Sequence, residues 1–445
     1  MLITDATLVT WGSPNRLYER YALHIEGALV REIGPEAELL ARHPNEERFD
    51  ARGQLVLPGS ICAHTHFYGA FARGLAIPGD APQDFKQILE KLWWPLDRSL
   101  DEDGVRFSAL TCLVDAVKHG TTTLFDHHAS PNFIDGSLDV IAEAVEQAGL
   151  RAVLCYEVSG RDGQDKARAG IAENARFLQR TKSPLLAGTF GLHAPLTLST
   201  ATLEESRAAA PDGTGFHIHV SESQDDGYAM FENDLGAARP VDWLNEHGIL
   251  GQRTIVAHAV HVDEYELDQL AETGTWVTHL PRSNMNNGVG VAQVETMLGM
   301  GMRVCLGNDG FSHPMWDEWK AASLLHKNEH RDPRRMNGSD VVQMAVYNNA
   351  ALANTFFPEA PLGQIVPGCY ADLVFVEYHA ATPLTAENLP WQILFGFQGG
   401  MVTTTIVHGK VLMKDRELLT LDEAEVAAKA REAAAKTWKR YYAQF

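Results

Sequence analysis

Two histidines stand two residues apart in Ala63-His64-Thr65-His66, and Gly307-Asn308-Asp309-Gly310 lies near the other end of the chain. Both stretches follow apolar, β-like residues. In an extended strand residues i and i+2 point to the same face, so His64 and His66 can offer ring nitrogens to one cation. Two imidazoles with a carboxylate suit zinc or a neighbouring transition metal. An HxH pair alone is as readily two ordinary polar residues. Here it is joined by Phe216-His217-Ile218-His219-Val220, which sets two more histidines opposite its apolar face, so that one of them reaches the same point. Glu222 follows three residues after His219, where a carboxylate can face an activated water without ligating a metal. Its plainer reading is a solvated loop residue.

These residues need a scaffold that brings distant strand ends together. Eight β-like segments follow one another: 57–66, 121–127, 151–158, 185–193, 215–220, 254–258, 275–280 and 303–309. Helical patterns lie between most of them, as in 105–119, 136–148 and 203–209, with Gly120 and Gly149 at C-cap positions. This predicts an α/β protein, either a (β/α)8 TIM-like barrel or an open doubly wound sheet. The polar residues decide between them. His64 and His66, Asp126 with His127, Glu157, His193, His219, His258, His279 and Asp309 all fall at C-terminal strand ends. A barrel gathers all such ends around one mouth, whereas an open sheet concentrates its site at one crevice.

The flanks read differently. Short alternating strands occur before residue 57 and again after 364, too few on either side for a stable sheet. The expected organisation is residues 1–56 and 365–445 joined in a small β-sandwich, with 57–364 as the barrel. The tail reads as an Ala-rich helix opened by a capping box of Thr420 and Glu423, with its basic residues late.

Composition bounds the partners. A chain of 445 residues, 45% hydrophobic and 21% charged, is globular, and its net charge of -21 repels phosphate backbones and anionic membranes. Nucleic acid is not expected as a partner. No apolar run spans a bilayer, no signal-peptide pattern opens the chain, and the 5 cysteines lack a CxxC pair. The expectation is a soluble cytoplasmic protein with buried free thiols. No P-loop, GxSxG elbow or GxGxxG is present. Without a P-C-x-x-C, the His/Cys/Cys nucleobase deaminases are excluded.

Five segments in order resemble the amidohydrolase superfamily, in its cytosine, guanine and S-adenosylhomocysteine deaminase and triazine chlorohydrolase branch. They are Leu57-Pro58-Gly59 leading into His64-Thr65-His66, His219-Val220-Ser221-Glu222, Ala257-His258-Ala259-Val260-His261, His279-Leu280-Pro281-Arg282-Ser283-Asn284 and Leu306-Gly307-Asn308-Asp309-Gly310. Two further runs, His64 to Ala70 and Phe125 to Pro131, resemble the SsnA group of aminohydrolases within that branch. The resemblance implies that His64, His66, His219 and Asp309 ligate one divalent metal, zinc with iron(II) or manganese as alternatives. It implies Glu222 as proton shuttle, His258 as the group that orients the water, Asp309 as an acceptor of its proton, and His193 and His279 as substrate contacts. It also implies a homo-oligomer.

Other residues keep two readings. His217 and His261 read as hydrogen-bonded supporting or core positions, while Asp126, His127, His128 and Glu157 are divided between substrate contact and rim salt bridge. Cys62 reads as packing, and Trp93 and Trp94 as core, with an aromatic wall for a flat heterocycle as their other reading. The third and fourth strands carry no lysine that could bridge two metals, which favours one metal, and Met285-Asn286-Asn287 departs from the deaminase pattern beside the pocket. The expected activity is hydrolytic deamination of a purine- or pyrimidine-like heterocycle. Cyclic amide ring opening is the main alternative, ahead of triazine dechlorination and a catalytically silent scaffold.

Overall fold

In the computed structural model, which describes residues 1–180, 183–232 and 239–445, the site-bearing segments are all parallel strands. Ser60–Thr65, Thr121–His128, Arg151–Tyr156 and Leu186–Gly188 form one four-stranded sheet in chain order. Phe190–Leu192, Phe216–Val220, Ile255–His258, Trp276–His279 and Val304–Leu306 form a five-stranded one. Helices such as Glu102–Lys118, Ser137–Ala148, Thr200–Ala209 and Glu264–Thr273 alternate with them, giving an α/β architecture. Parallel strands covered on both faces must be apolar throughout, and most of these strands are buried at every residue.

Two sets of hydrogen bonds link the sheets. The segment expected over 185–193 is interrupted at Thr189, whose N–H goes to the Leu154 carbonyl (3.1 Å) while its hydroxyl goes to that of Gly215 (2.8 Å). One residue thus bonds to both arcs. At the other join the N–H of Asp309 donates to the His64 carbonyl and that of His66 to the Asp309 carbonyl, both at 3.1 Å. Below it the buried Asn349 amide donates to the carbonyls of Ile61 (2.7 Å) and Leu306 (2.9 Å) and accepts from the Leu306 N–H (2.9 Å).

The expected first strand, 57–66, is two strands. Leu55–Pro58 pairs antiparallel with Leu373–Val376, and Ser60–Thr65 enters the parallel arc. Gly59 is the corner, because a Cβ there would stand 2.2 Å from the Thr122 side chain. Leu55–Pro58 belongs to a nine-stranded sheet that takes strands from both ends of the chain, from Leu2–Val9 to Glu417–Leu418. Buried Arg151 ties the arc to this sheet by pairing with Asp372, its Nε 3.1 Å from Oδ2. The final helix, Glu423–Tyr442, is capped by Asp422, which accepts from the Glu425 N–H. Thr420 is not the cap as expected; its hydroxyl is taken by the Ala148 carbonyl. Among the described residues no helix is long and apolar enough to cross a membrane.

Candidate metal and active site

His64 and His66, on one face of Ser60–Thr65 and its end, meet His219 from the end of Phe216–Val220 and Asp309 just past Val304–Leu306. Their outer ring nitrogens are pinned. His66 Nδ1 lies 2.5 Å from the His127 carbonyl, and His219 Nδ1 lies 2.8 Å from that of His193. A carbonyl only accepts, so each Nδ1 holds the proton and each Nε2 presents a lone pair. Those two lone pairs face each other at 3.2 Å, with Asp309 Oδ1 3.1 Å from His66 Nε2. His64 Nε2 is buried without a partner, 3.8 Å from the same oxygen, while its Nδ1 meets His217 Nε2 at 2.8 Å.

The Nε2 atoms of His66 and His219, the unpartnered His64 Nε2 and a carboxylate oxygen therefore converge on one point. Electron-rich atoms at this spacing call for a cation. Burial holds His64 and His219 well below the usual imidazole range, which keeps them neutral. His66 is the exception: burial opposes its charge, yet the hydrogen bond and charge of Asp309 push it up to about 9. Positive charge is favoured at that point, and an N3O donor set fits zinc.

Glu222 and His258 complete the floor. His258 Nε2 lies 3.2 Å from Glu222 Oε2 and 3.9 Å from Asp309 Oδ2, and its Nδ1 is held 2.8 Å from Asn284 Oδ1. Burial, reinforced by the Asp309 charge, raises the Glu222 carboxyl well above its usual range, so it retains a proton. Asn287 donates to Glu222 Oε1 at 3.0 Å, and the Ser283 hydroxyl donates to Asp309 Oδ2 at 2.5 Å. Asp309, His258 and Ser221 sit at positive φ (54, 71 and 50°), and the side chains of Asp309 and His258 line the cavity.

Above this floor lies a cavity of about 590 Å³ lined by His66, His219, Glu222, His258 and Asp309, with His193 on its wall. His193 Nδ1 is held by the Thr197 hydroxyl at 2.7 Å. His279 is elsewhere. It is fully buried, does not line the cavity, and its Nε2 lies 3.4 Å from His326 Nε2. Its strand ends at the same level, but the side chain turns toward the helix Met315–His330.

The ambiguous residues separate. Glu157 lines the cavity, with Oε1 3.1 Å from His127 Nδ1 and 3.3 Å from His66 Nδ1. Burial would raise its carboxyl, but His127, His193 and His66 hold it well below the usual range. Asp126 accepts from the Phe67 N–H (2.7 Å) and His128 is bonded to Ser130 (2.9 Å), both outside the cavity. His217 supports His64, whereas His261 is exposed and bonded to the Val289 carbonyl. Cys62 packs as expected, its thiol facing Asn308 Oδ1. Trp93 and Trp94, half-buried and packed against the main core, also line the cavity with Tyr68, Phe85 and Leu89. Sequence reasoning also missed Arg161, which lines the cavity and pairs with buried Asp97. An arginine soon after Glu157 in a β-like segment was the available signal.

The amidohydrolase family pattern matches residues 55–412. The chain is 30% identical over 442 residues to the 5-methylthioadenosine/S-adenosylhomocysteine deaminase of Pelotomaculum thermopropionicum, covering 98% of both chains. It is 32% identical over 443 residues to the 5'-deoxyadenosine deaminase of Methanosarcina mazei, covering 98% of this chain and 97% of that one. Among solved structures, the zinc-bound adenosine deaminase of Xanthomonas campestris superposes with a TM-score of 0.84 at 24% identity over 98% of each chain, a likeness of fold. A family pattern running through all four proposed metal positions and relatives matched nearly end to end lead to one conclusion: the chain belongs to the amidohydrolase family.

Proposed function

We propose that this chain is a metal-dependent deaminase of the adenine-nucleoside class, exchanging the exocyclic amine of a purine-like ring for oxygen from water. The observation that carries the reading is the convergence of three histidine nitrogens and Asp309 beside the buried Glu222 carboxyl, at the floor of an aromatic-walled cavity. His64, His66, His219 and Asp309 would hold one divalent metal, zinc first. When bound, such a metal supplies Lewis acidity and a water that ionises near pH 7. Asp309 Oδ2, supported by Ser283, is placed to accept a proton from the attacking water, and His258, fixed by Asn284, is placed to orient it. Glu222 hands its proton to a ring nitrogen as water oxygen adds to the neighbouring carbon; the amine then takes the proton held by Asp309 and leaves as ammonia, while the added hydroxyl returns its proton to Glu222 as the C–N bond breaks and the C=O bond forms. Trp93, Trp94 and Tyr68 give the flat ring an aromatic wall, and among the described residues the buried Trp94 indole N–H has no acceptor. The relatives' names support an adenine-bearing substrate.

The same reading includes a closed (β/α)8 barrel, supported by the hydrogen bonds at Thr189 and at His64 with Asp309, and a smaller β domain from 1–56 and 365–445 beside the barrel 57–364. It includes a cytoplasmic homo-oligomer, for which five buried unpaired cysteines favour a reducing compartment. The test is to assay zinc-loaded protein on 5'-deoxyadenosine, 5'-methylthioadenosine and S-adenosylhomocysteine, following ammonia and ring absorbance together. Ammonia with an intact ring supports deamination. Loss of the ring without ammonia, or no ammonia from any purine, pyrimidine or pterin, overturns it.

A further inference from the structure

The cavity's aromatic wall hangs on a helical segment with a defect in it. Phe85, Leu89, Trp93 and Trp94 all come from residues 85–98, where Phe85–Ile88 runs into a π-helical turn, Leu89–Trp93, and then Trp94–Arg98. Pro95 has no N–H to give the Lys91 carbonyl four residues back, so that carbonyl loses its α-helical partner inside the segment. The replacement comes from far along the chain. Tyr441, fully buried near the end of the helix Glu423–Tyr442, donates its hydroxyl to the Lys91 carbonyl at 2.5 Å. Gln444 donates to the Pro95 carbonyl (2.8 Å), Arg440 to that of Ser99 (2.6 Å), and Trp438 to that of Phe71 (2.8 Å), beyond the Tyr68 turn. The wall is in turn seated on the floor: Trp93 meets Tyr68 edge to face at 6.1 Å, and its ring packs so close to Gly310, next to Asp309, that a Cβ there would stand 3.2 Å from it.

We propose that Tyr441 is a positioning residue for substrate binding: it completes the broken segment 85–98 and so fixes the aromatic wall against which the ring stacks. Tyr441 touches neither substrate nor metal and acts through Lys91 and Trp93. This inference rests on the deaminase reading for its kinetic arm only. A wall displaced by a fraction of an ångström weakens ring binding while the floor, held by other strands, keeps its geometry.

The experiment is Tyr441→Phe in the full zinc-loaded chain, with Tyr442→Phe as control, because Tyr442 bonds only the Ala76 carbonyl in the exposed loop. For Y441F we expect KM for the best nucleoside substrate to rise by about fivefold, the size of one lost hydrogen bond, with kcat within twofold and zinc content unchanged. Amide hydrogen exchange in 85–98 should quicken while the strands Ser60–Thr65 and Phe216–Val220 keep their protection. Unchanged KM and unchanged exchange in 85–98 would overturn the proposal, as would a fall in kcat together with zinc loss, which marks a general lesion. If Y441F fails to fold, Gln444→Ala, which releases the Pro95 carbonyl, faces the same criteria. Should the parent protein deaminate nothing, the deaminase reading fails alone, and the exchange measurement still decides the role of Tyr441.

Discussion

Glu222 is the residue on which the proposed chemistry turns, because it is placed to move a proton without holding the metal. Its carboxyl lies 3.2 Å from His258 Nε2 and accepts from Asn287, while the four converging metal donors belong to other side chains. Glu222→Gln is nearly isosteric and leaves those donors intact, so metal content and melting temperature should stay at parent values. Turnover should fall on the order of 100-fold or more, as for loss of a positioned acid-base group. Steady-state assays beside elemental analysis check both halves, and parallel loss of metal would remove the shuttle assignment. His219→Ala and Asp309→Ala make the opposite prediction. Each deletes one donor of the set, so bound zinc itself should drop. The parent should hold one metal per chain, and a stoichiometry near two would defeat the mononuclear reading.

At the scale of elements, the site depends on two joins between parallel arcs, and the join beside the metal donors is stapled by one side chain. Asn349 satisfies three backbone groups of Ile61 and Leu306. Asn349→Ala removes all three bonds at a buried site, which predicts a loss of about 2–4 kcal/mol. Urea unfolding would read it, and a loss under about 1 kcal/mol would mean the join is held elsewhere. The strands themselves were legible in sequence, since apolar runs ending in a polar residue are a local pattern. Their breaks were not. Gly59 marks where the chain leaves one sheet for another, and only Thr122, packed against it from a distant strand, makes that glycine necessary. The 85–98 segment escaped detection for a related reason: its helix is completed by Tyr441, far beyond any local window.

The molecule as a whole is tied through its ends. Strands from both flanks share one sheet, and Leu373–Val376 covers the edge of Leu55–Pro58, the strand that leads directly into His64. Ending the chain at residue 364 would bare that edge and strip buried Arg151 of Asp372, leaving an unpaired interior charge. The shortened protein should aggregate on expression. A soluble 1–364 product that melts cooperatively would show that the parallel arcs need no partner sheet.

What the sequence determined by itself was the parallel α/β plan and a ring of polar strand ends, because strand period and strand-end position are local properties; the choice among those residues, His219 rather than His217, rested on the family resemblance. His64 with His66 shares a face by the geometry of an extended chain, and His219, Glu222, His258 and Asp309 recur at equivalent ends. Only the tertiary structure decided which nitrogen of each histidine faces inward, since that is fixed by carbonyls from other strands, those of His127 and His193. It also turned His279 away toward His326, and set Trp93 and Trp94 in the cavity wall as well as against the core. Side-chain direction at these positions depends on packing between segments far apart in the chain, and no spacing within a single segment encodes it.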